Sequence, residues 1–190
     1  LLVYVGLGPT RVSPDSMHYL DIAQVIADEH VIGTYHLSVD SRSIPDRVLF
    51  WPPGYPAAIA AVMQLGVSRE KAAKLTNIVS LLVCLLLVTC VLRSCCSIAV
   101  TAAGLLYMLR YSQFGVYLWS EPLFTMLVVA ACLTLASAHR RGMGHVGLGI
   151  AAGVLASLAF AVRYTGVFVL PAFACLWLGS FALRRHCGTL

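Results

Sequence analysis

Acidic side chains are scarce in this sequence. Only eight Asp and Glu occur among 190 residues, and seven of them (Asp15, Asp21, Asp28, Glu29, Asp40, Asp46 and Glu70) precede residue 72. Beyond that point Glu121 is the sole acid. Charged residues of both signs make up 11% of the chain, under half of the roughly 25% usual in soluble domains. That shortage excludes an ordinary water-soluble globule. Disorder is excluded as well, because it needs low hydrophobicity and high charge, whereas 59% of these residues are hydrophobic and the mean hydropathy is +0.86. The chain also lacks any C-x-x-C pair. Its seven cysteines (Cys84, Cys90, Cys95, Cys96, Cys132, Cys175 and Cys187) sit mostly inside apolar runs and read as small apolar helix residues rather than zinc ligands. His18, His30 and His36 match no compact ligand spacing, so no metal site is assigned. Neither an internal repeat nor a low-complexity tract is present.

What is present is a series of long uncharged apolar stretches: Leu75–Leu92, Ser94–Leu109 (extended by Tyr111–Trp119), Pro122–Ala138, Val146–Val162 and Tyr164–Leu183. A membrane-crossing helix needs about 20 mostly apolar residues, and with their flanks these qualify. The expected fold is therefore all-α, a polytopic transmembrane bundle with five helices over 75–190, belonging to a longer membrane domain. Leu1–Gly8 reads as the end of an earlier span. The net charge of +5 does not point to nucleic acid, because the basic residues stand singly or in pairs at the ends of apolar runs. If the opening stub leaves the cytoplasm, Arg93, Arg140, Arg141, Arg184 and Arg185 fall inside, against Arg110 and Arg163 outside, as the positive-inside rule expects. Residues 9–74 then form an extracytoplasmic loop.

That loop has structure of its own. Ser13-Pro14-Asp15-Ser16 predicts a helix start, with Ser13 as cap and Pro14 in the first helical position. Met17, Tyr19, Leu20, Ile22, Ala23, Val25 and Ile26 recur at helical spacing, giving an amphipathic surface helix that ends near Glu29. Val31–Leu49 reads as irregular, with a hairpin as one reading. The prolines of Trp51-Pro52-Pro53-Gly54-Tyr55-Pro56 exclude regular helix there. A short helix over Ala57–Leu65 follows, and Ser68 is a fitting cap for the first complete span.

Three polar features share the outer side: Asp15, Ser120-Glu121-Pro122 and Arg163-Tyr164-Thr165-Gly166. Glu121 is either a dipole-stabilised acid at a helix start or a functional acid at a membrane site, where ionisable residues are expensive. Asp15 has the same two readings, the functional one being a general base or metal ligand in a water-filled pocket. His18 and Tyr19 lie three and four residues on and share its helix face. Arg163 is either a snorkelling anchor or a fork for a lipid phosphate. Trp51 and Tyr55 are either interfacial aromatics or stacking surfaces for a sugar ring.

Taken in order, Pro14-Asp15-Ser16-Met17-His18-Tyr19-Leu20, Trp51-Pro52-Pro53-Gly54-Tyr55-Pro56, Ser120-Glu121-Pro122-Leu123-Phe124 and Arg163-Tyr164-Thr165-Gly166 resemble the GT-C superfamily of polytopic glycosyltransferases. The similarity is to its dolichyl-phosphate-mannose protein mannosyltransferase-like and aminoarabinose-transferase-like members. The resemblance implies an integral, multi-pass enzyme of the bacterial inner membrane or the endoplasmic reticulum. It implies transfer of a sugar from a polyprenyl- or dolichyl-phosphate carrier to a lipid, protein or glycan acceptor on the extracytoplasmic side. Its partners are the lipid-linked donor, that acceptor and membrane lipids, and no nucleic acid. It implies catalytic roles for Asp15 and Glu121 and substrate binding by His18, Tyr19, Trp51, Tyr55 and Arg163. Many members carry a second acid beside the first-loop acid, where this chain has Ser16. No cofactor is certain, and a divalent cation oriented by Asp15 is the one candidate. The 190 residues alone are expected to be inactive.

The alternative class is a piece of a multi-span transporter or permease, with Glu121 as a coupling residue. Such proteins place charges near the bilayer midplane, often in repeated halves, whereas the polar groups here gather at one edge. A third class is a non-catalytic membrane subunit, and the glycines of 142–153 would serve helix packing in all three. The sidedness is testable. In a cysteine-depleted full-length protein, Asp15→Cys should react with an impermeant thiol reagent added outside intact cells, and labelling only after permeabilisation would overturn the topology.

Overall fold

A computed structural model describes residues 13–34, 46–47, 50–95, 118–141, 146–172 and 174–175. The stub Leu1–Gly8, nearly all of Ser94–Leu109 and Tyr111–Trp119, and the second half of Tyr164–Leu183 lie outside the described residues. The elements run α1 (Pro14–Glu29), β1 (Gly33–Thr34), β2 (Asp46–Arg47), α2 (Gly54–Met63), α3 (Arg69–Cys95), α4 (Glu121–Arg141) and α5 (Val146–Val162). A 3-10 turn over Tyr164–Phe168 follows α5. The architecture is all-α apart from two-residue strands β1 and β2, which pair antiparallel with Gly33 opposite Arg47 and Thr34 opposite Asp46. Val31–Leu49 thus holds the ends of a hairpin. Thr34 is buried and donates its hydroxyl to the Asp21 carboxylate, which fastens the strand to α1.

α1 starts where local chemistry sets it. Ser13 caps it, with the Ser16 amide donating to Ser13 Oγ and the Ser13 amide to Ser16 Oγ, each at 3.2 Å. Pro14 occupies the first turn, where its missing N–H costs nothing. The helix ends at His30 in the left-handed region, φ 60°.

α2 begins at Gly54, three residues earlier than the sequence suggests. The prolines exclude helix only where an amide must donate back to the preceding turn. Pro56 lies in the first turn of α2, whose amides have no partner within the helix anyway, so the chain turns helical straight after Pro53. α2 ends at Met63 rather than Leu65. α3 also starts ahead of its apolar run, at Arg69, with the Ala72 amide donating to the Ser68 carbonyl at 2.8 Å.

Two helices, Arg69–Val91 and Glu121–Arg140, are long and apolar enough to cross a membrane. Val146–Val162 is shorter and matches its expected range. Their surfaces are inverted relative to a soluble protein. On α3, Leu75, Val79, Leu82 and Leu86 form an exposed stripe while Thr76, Asn77 and Ser80 are buried. On α5, Val146, Ile150, Val154 and Leu158 face out, and Ala152, Ala156 and Ala159 face in. Small residues let helix backbones approach closely where lipid supplies no hydrophobic drive. The hydroxyls satisfy themselves within their own helices: Ser80 donates to the Thr76 carbonyl at 2.7 Å and Thr134 to the Ala130 carbonyl at 2.8 Å.

α4 and α5 form the most extensive helix pair, α3 packs on α4, and α2 is wedged among α1, α3 and α5. Tyr55, fully buried on α2, donates its hydroxyl to Asn77 Oδ1 of α3 at 3.0 Å. Gly54 lies against the end of α5 with no space for a side chain, since a β-carbon there would stand 2.7 Å from the Ala161 carbonyl carbon. Gly54→Ala should therefore push α2 off α5 and cost roughly 1–3 kcal/mol, as overpacking does. Gly153→Ala, with open space around it among the described residues, should change stability by at most about 1 kcal/mol and in the favourable direction. Unfolding in detergent compares the two, and equal effects would contradict the close approach at Gly54.

Candidate functional site

The ends of four helices meet around one hollow of about 370 Å³, within the roughly 300–1,000 Å³ common for ligand pockets. Asp15 and Tyr19 come from α1, Phe50, Trp51 and Pro52 from the turn before α2, and Trp119, Ser120 and Glu121 from the start of α4. Arg163, Tyr164 and Thr165 come from the turn after α5. Five of the seven residues singled out in the sequence therefore line one cavity: Asp15, Tyr19, Trp51, Glu121 and Arg163. Residues separated by more than a hundred positions have been brought to one place.

The charged groups are not equivalent. Arg163 Nη1 donates to Glu121 Oε1, joining the end of α5 to the start of α4. The second Glu121 oxygen is buried without a partner among the described residues. Asp15 is exposed at the rim, with no hydrogen bond or ion pair there among the described residues. The cavity thus holds one carboxylate committed to a guanidinium and one open to the water side. Gly166 makes the arrangement possible. It is buried, and a β-carbon on it would lie 2.6 Å from Phe160 Cα, so only glycine lets the turn fold back over α5 and present Arg163, Tyr164 and Thr165 together.

An aromatic chain supports the wall. The His18 ring stacks on Trp51 with centroids 5.0 Å apart and planes at 20°. Tyr19 meets Trp51 edge-on at 5.5 Å and Tyr55 edge-on at 5.2 Å. Burial pushes the Tyr19 phenol above its ordinary value, opposed by its hydrogen bond with Ser120 and by the Arg163 charge. Burial likewise pushes up the Tyr55 phenol, against its bond to Asn77. Both rings are therefore neutral at physiological pH. They favour the native packing below the usual phenol range and release that stability only as pH rises above it.

Two sequence-derived candidates sit elsewhere. Tyr55 is fully buried, bonded to Asn77 and not among the lining residues, so it supports Tyr19 from behind. His18 backs Trp51 and is not part of the cavity wall. Sequence reasoning passed over Trp119, Phe50 and Pro52 as lining residues. A polar residue beside Glu121 was a usable signal for Ser120, and nothing local distinguishes Trp119 from an interfacial tryptophan. Among the described residues no three His, Cys, Asp or Glu groups gather, and of the two carboxylates lining the cavity Glu121 is turned to Arg163, so Asp15 is the carboxylate there that would meet a divalent cation completed by water and phosphate oxygens.

A bundle with lipid-type outer faces and a charged hollow at one end defines an integral membrane protein built around an edge site. A family model described as dolichyl-phosphate-mannose-protein mannosyltransferase matches residues 51–189. The chain belongs to that family of membrane glycosyltransferases. The match includes the Trp51 turn, Glu121 and Arg163, while Asp15, His18 and Tyr19 lie ahead of it. No curated protein and no solved structure matches the chain.

The Glu121–Arg163 pair is 44% and 33% exposed in its side chains, so it adds little to stability. Pairs this open contribute about 0–1 kcal/mol. Arg163→Met should change unfolding in detergent by less than about 1 kcal/mol while impairing sugar transfer by the full-length enzyme. A large loss of stability with transfer preserved would make the pair a structural clasp.

Proposed function

We propose that this chain forms the reaction edge of an enzyme that moves a sugar, mannose by the family's description, from a dolichyl- or polyprenyl-phosphate carrier to a hydroxyl of a lipid, protein or glycan acceptor. The reading places residues 9–74 and the cavity on the extracytoplasmic side of a multi-pass domain. One observation carries it: Asp15, Glu121 and Arg163, the charges singled out by scarcity and position, line the same hollow.

The chemistry needs two opposite services. The acceptor oxygen forms a bond to the anomeric carbon as the bond from that carbon to the carrier phosphate breaks. The acceptor's proton must leave, and negative charge collects on the departing polyprenyl phosphate. Asp15, open to water and bound to no cation, is the group placed to take the proton. Arg163 is the only cation among the described lining residues, and its planar fork suits a phosphate. Glu121 holds that fork in place through one oxygen. Trp51, stiffened by Pro52 and Pro53 and backed by His18, offers a flat wall for a sugar ring.

The test is Asp15→Asn in the full-length enzyme, assayed in membranes with a polyprenyl-phosphate sugar. General-base removal costs roughly 10²–10⁴-fold, so turnover should fall at least about 100-fold while expression and insertion are unchanged. Normal turnover would reject Asp15 as the proton acceptor and with it this reading.

A further inference from the structure

We propose that Trp119 and Ser120 are positioning residues that hold the N-terminus of α1, and hence Asp15, in register with Glu121. The proposal rests on the reading of Asp15 given above. The Trp119 indole N–H donates to Ser13 Oγ at 2.9 Å, across 106 positions of sequence. Ser13 is the cap of α1, and the same Oγ accepts from the Ser16 amide at 3.2 Å and shares a hydroxyl contact with Ser16 at 2.9 Å. One residue thus both ends the helix and ties it to the start of α4. On the other side of Asp15, Tyr19 and Ser120, both buried, line the same cavity wall, near enough for Ser120 to bear on the Tyr19 phenol.

The geometry is that of a two-point clasp. Asp15 lies between Ser13 and Tyr19 in the chain, and both flanking points are fastened to consecutive residues immediately before Glu121. Among the described elements α1 packs chiefly on α2 and only lightly on α3, so the Trp119–Ser13 bond and the approach of Tyr19 to Ser120 bear directly on its register with α4. Both carboxylates sit within the first two positions of their helices, close to the fastening points. An error in register would pass almost undiminished to the carboxylate, and displacements near 1 Å can cost on the order of 100-fold in rate. Tyr19 also leans edge-on against Trp51, which extends the clasp to the turn before α2.

The test uses the full-length enzyme in membranes, with kcat and KM measured for donor and acceptor. Trp119→Phe keeps the ring and deletes the N–H. It should lower kcat roughly 10- to 100-fold, with donor KM within about twofold. Ser120→Ala, which removes the other point, should act in the same direction, and it serves if the tryptophan variant does not insert. Ser13→Ala should lower kcat at least as much as Trp119→Phe, since it removes the cap of α1 as well, and adding Trp119→Phe to it should cost little more, because the indole bond is already gone. Ser13→Thr keeps a hydroxyl and should restore most of the rate. Wild-type kcat in both Trp119→Phe and Ser120→Ala, or independent multiplication of the Ser13 and Trp119 effects, would overturn the clasp. A general weakening of the fold would instead lower the amount of inserted enzyme with kcat per molecule unchanged, and that also counts against it. An inactive Asp15→Asn beside normal Trp119→Phe and Ser120→Ala rejects the clasp alone, whereas a fully active Asp15→Asn rejects the underlying role of Asp15.

Discussion

The contact between Gly54 and the Ala161–Val162 backbone is the constraint from which the cavity follows. It puts the first turn of α2 directly on the last turn of α5, so the proline turn before α2 and the arginine after α5 must be neighbours. Tyr55, one residue on, anchors the same turn to α3 through Asn77. α1 then leans on α2 through Tyr19 and Tyr55. Each wall of the hollow is the end of an element, and the backbone approach at Gly54 brings those ends to one level. Side chains fill the space afterwards. None of them is needed to explain why it opens where it does.

Charge is distributed in this hollow by partner rather than by residue type. Two carboxylates face it, and one guanidinium neutralises only the nearer. In the proposed reaction that asymmetry divides the work between two residues of the same chemistry, Glu121 holding the arginine and Asp15 meeting the acceptor hydroxyl.

Much of this was legible in the sequence, for identifiable reasons. The start of α1 follows from Ser13 and Pro14 because capping is decided within four residues. The apolar stretches near α3, α4 and α5 follow from hydrophobic length, which lipid enforces strictly. Glu121 stood out because acids are rare beyond residue 70. Other features were illegible because their causes are tertiary. Trp119 donating to Ser13 joins residues 106 apart, and no local pattern foretells it. Tyr55 and Trp51 flank the same prolines and read alike, yet packing against Asn77 buries one and leaves the other on the cavity. The start of α2 was misread for a local reason: a proline looks like a helix breaker until its place in the first turn is known.

The modest length of α5 has a consequence for where a carrier lipid is met. Its 17 residues rise about 26 Å, short of a hydrocarbon layer of about 30 Å. Under the proposed topology the surrounding leaflet must thin or the helix must stand nearly upright. In either case Arg163 stands at or inside the boundary between hydrocarbon and headgroups, and under the proposed function a prenyl donor would reach the guanidinium by sideways diffusion in its own leaflet, with no need to lift its tail from oil into water.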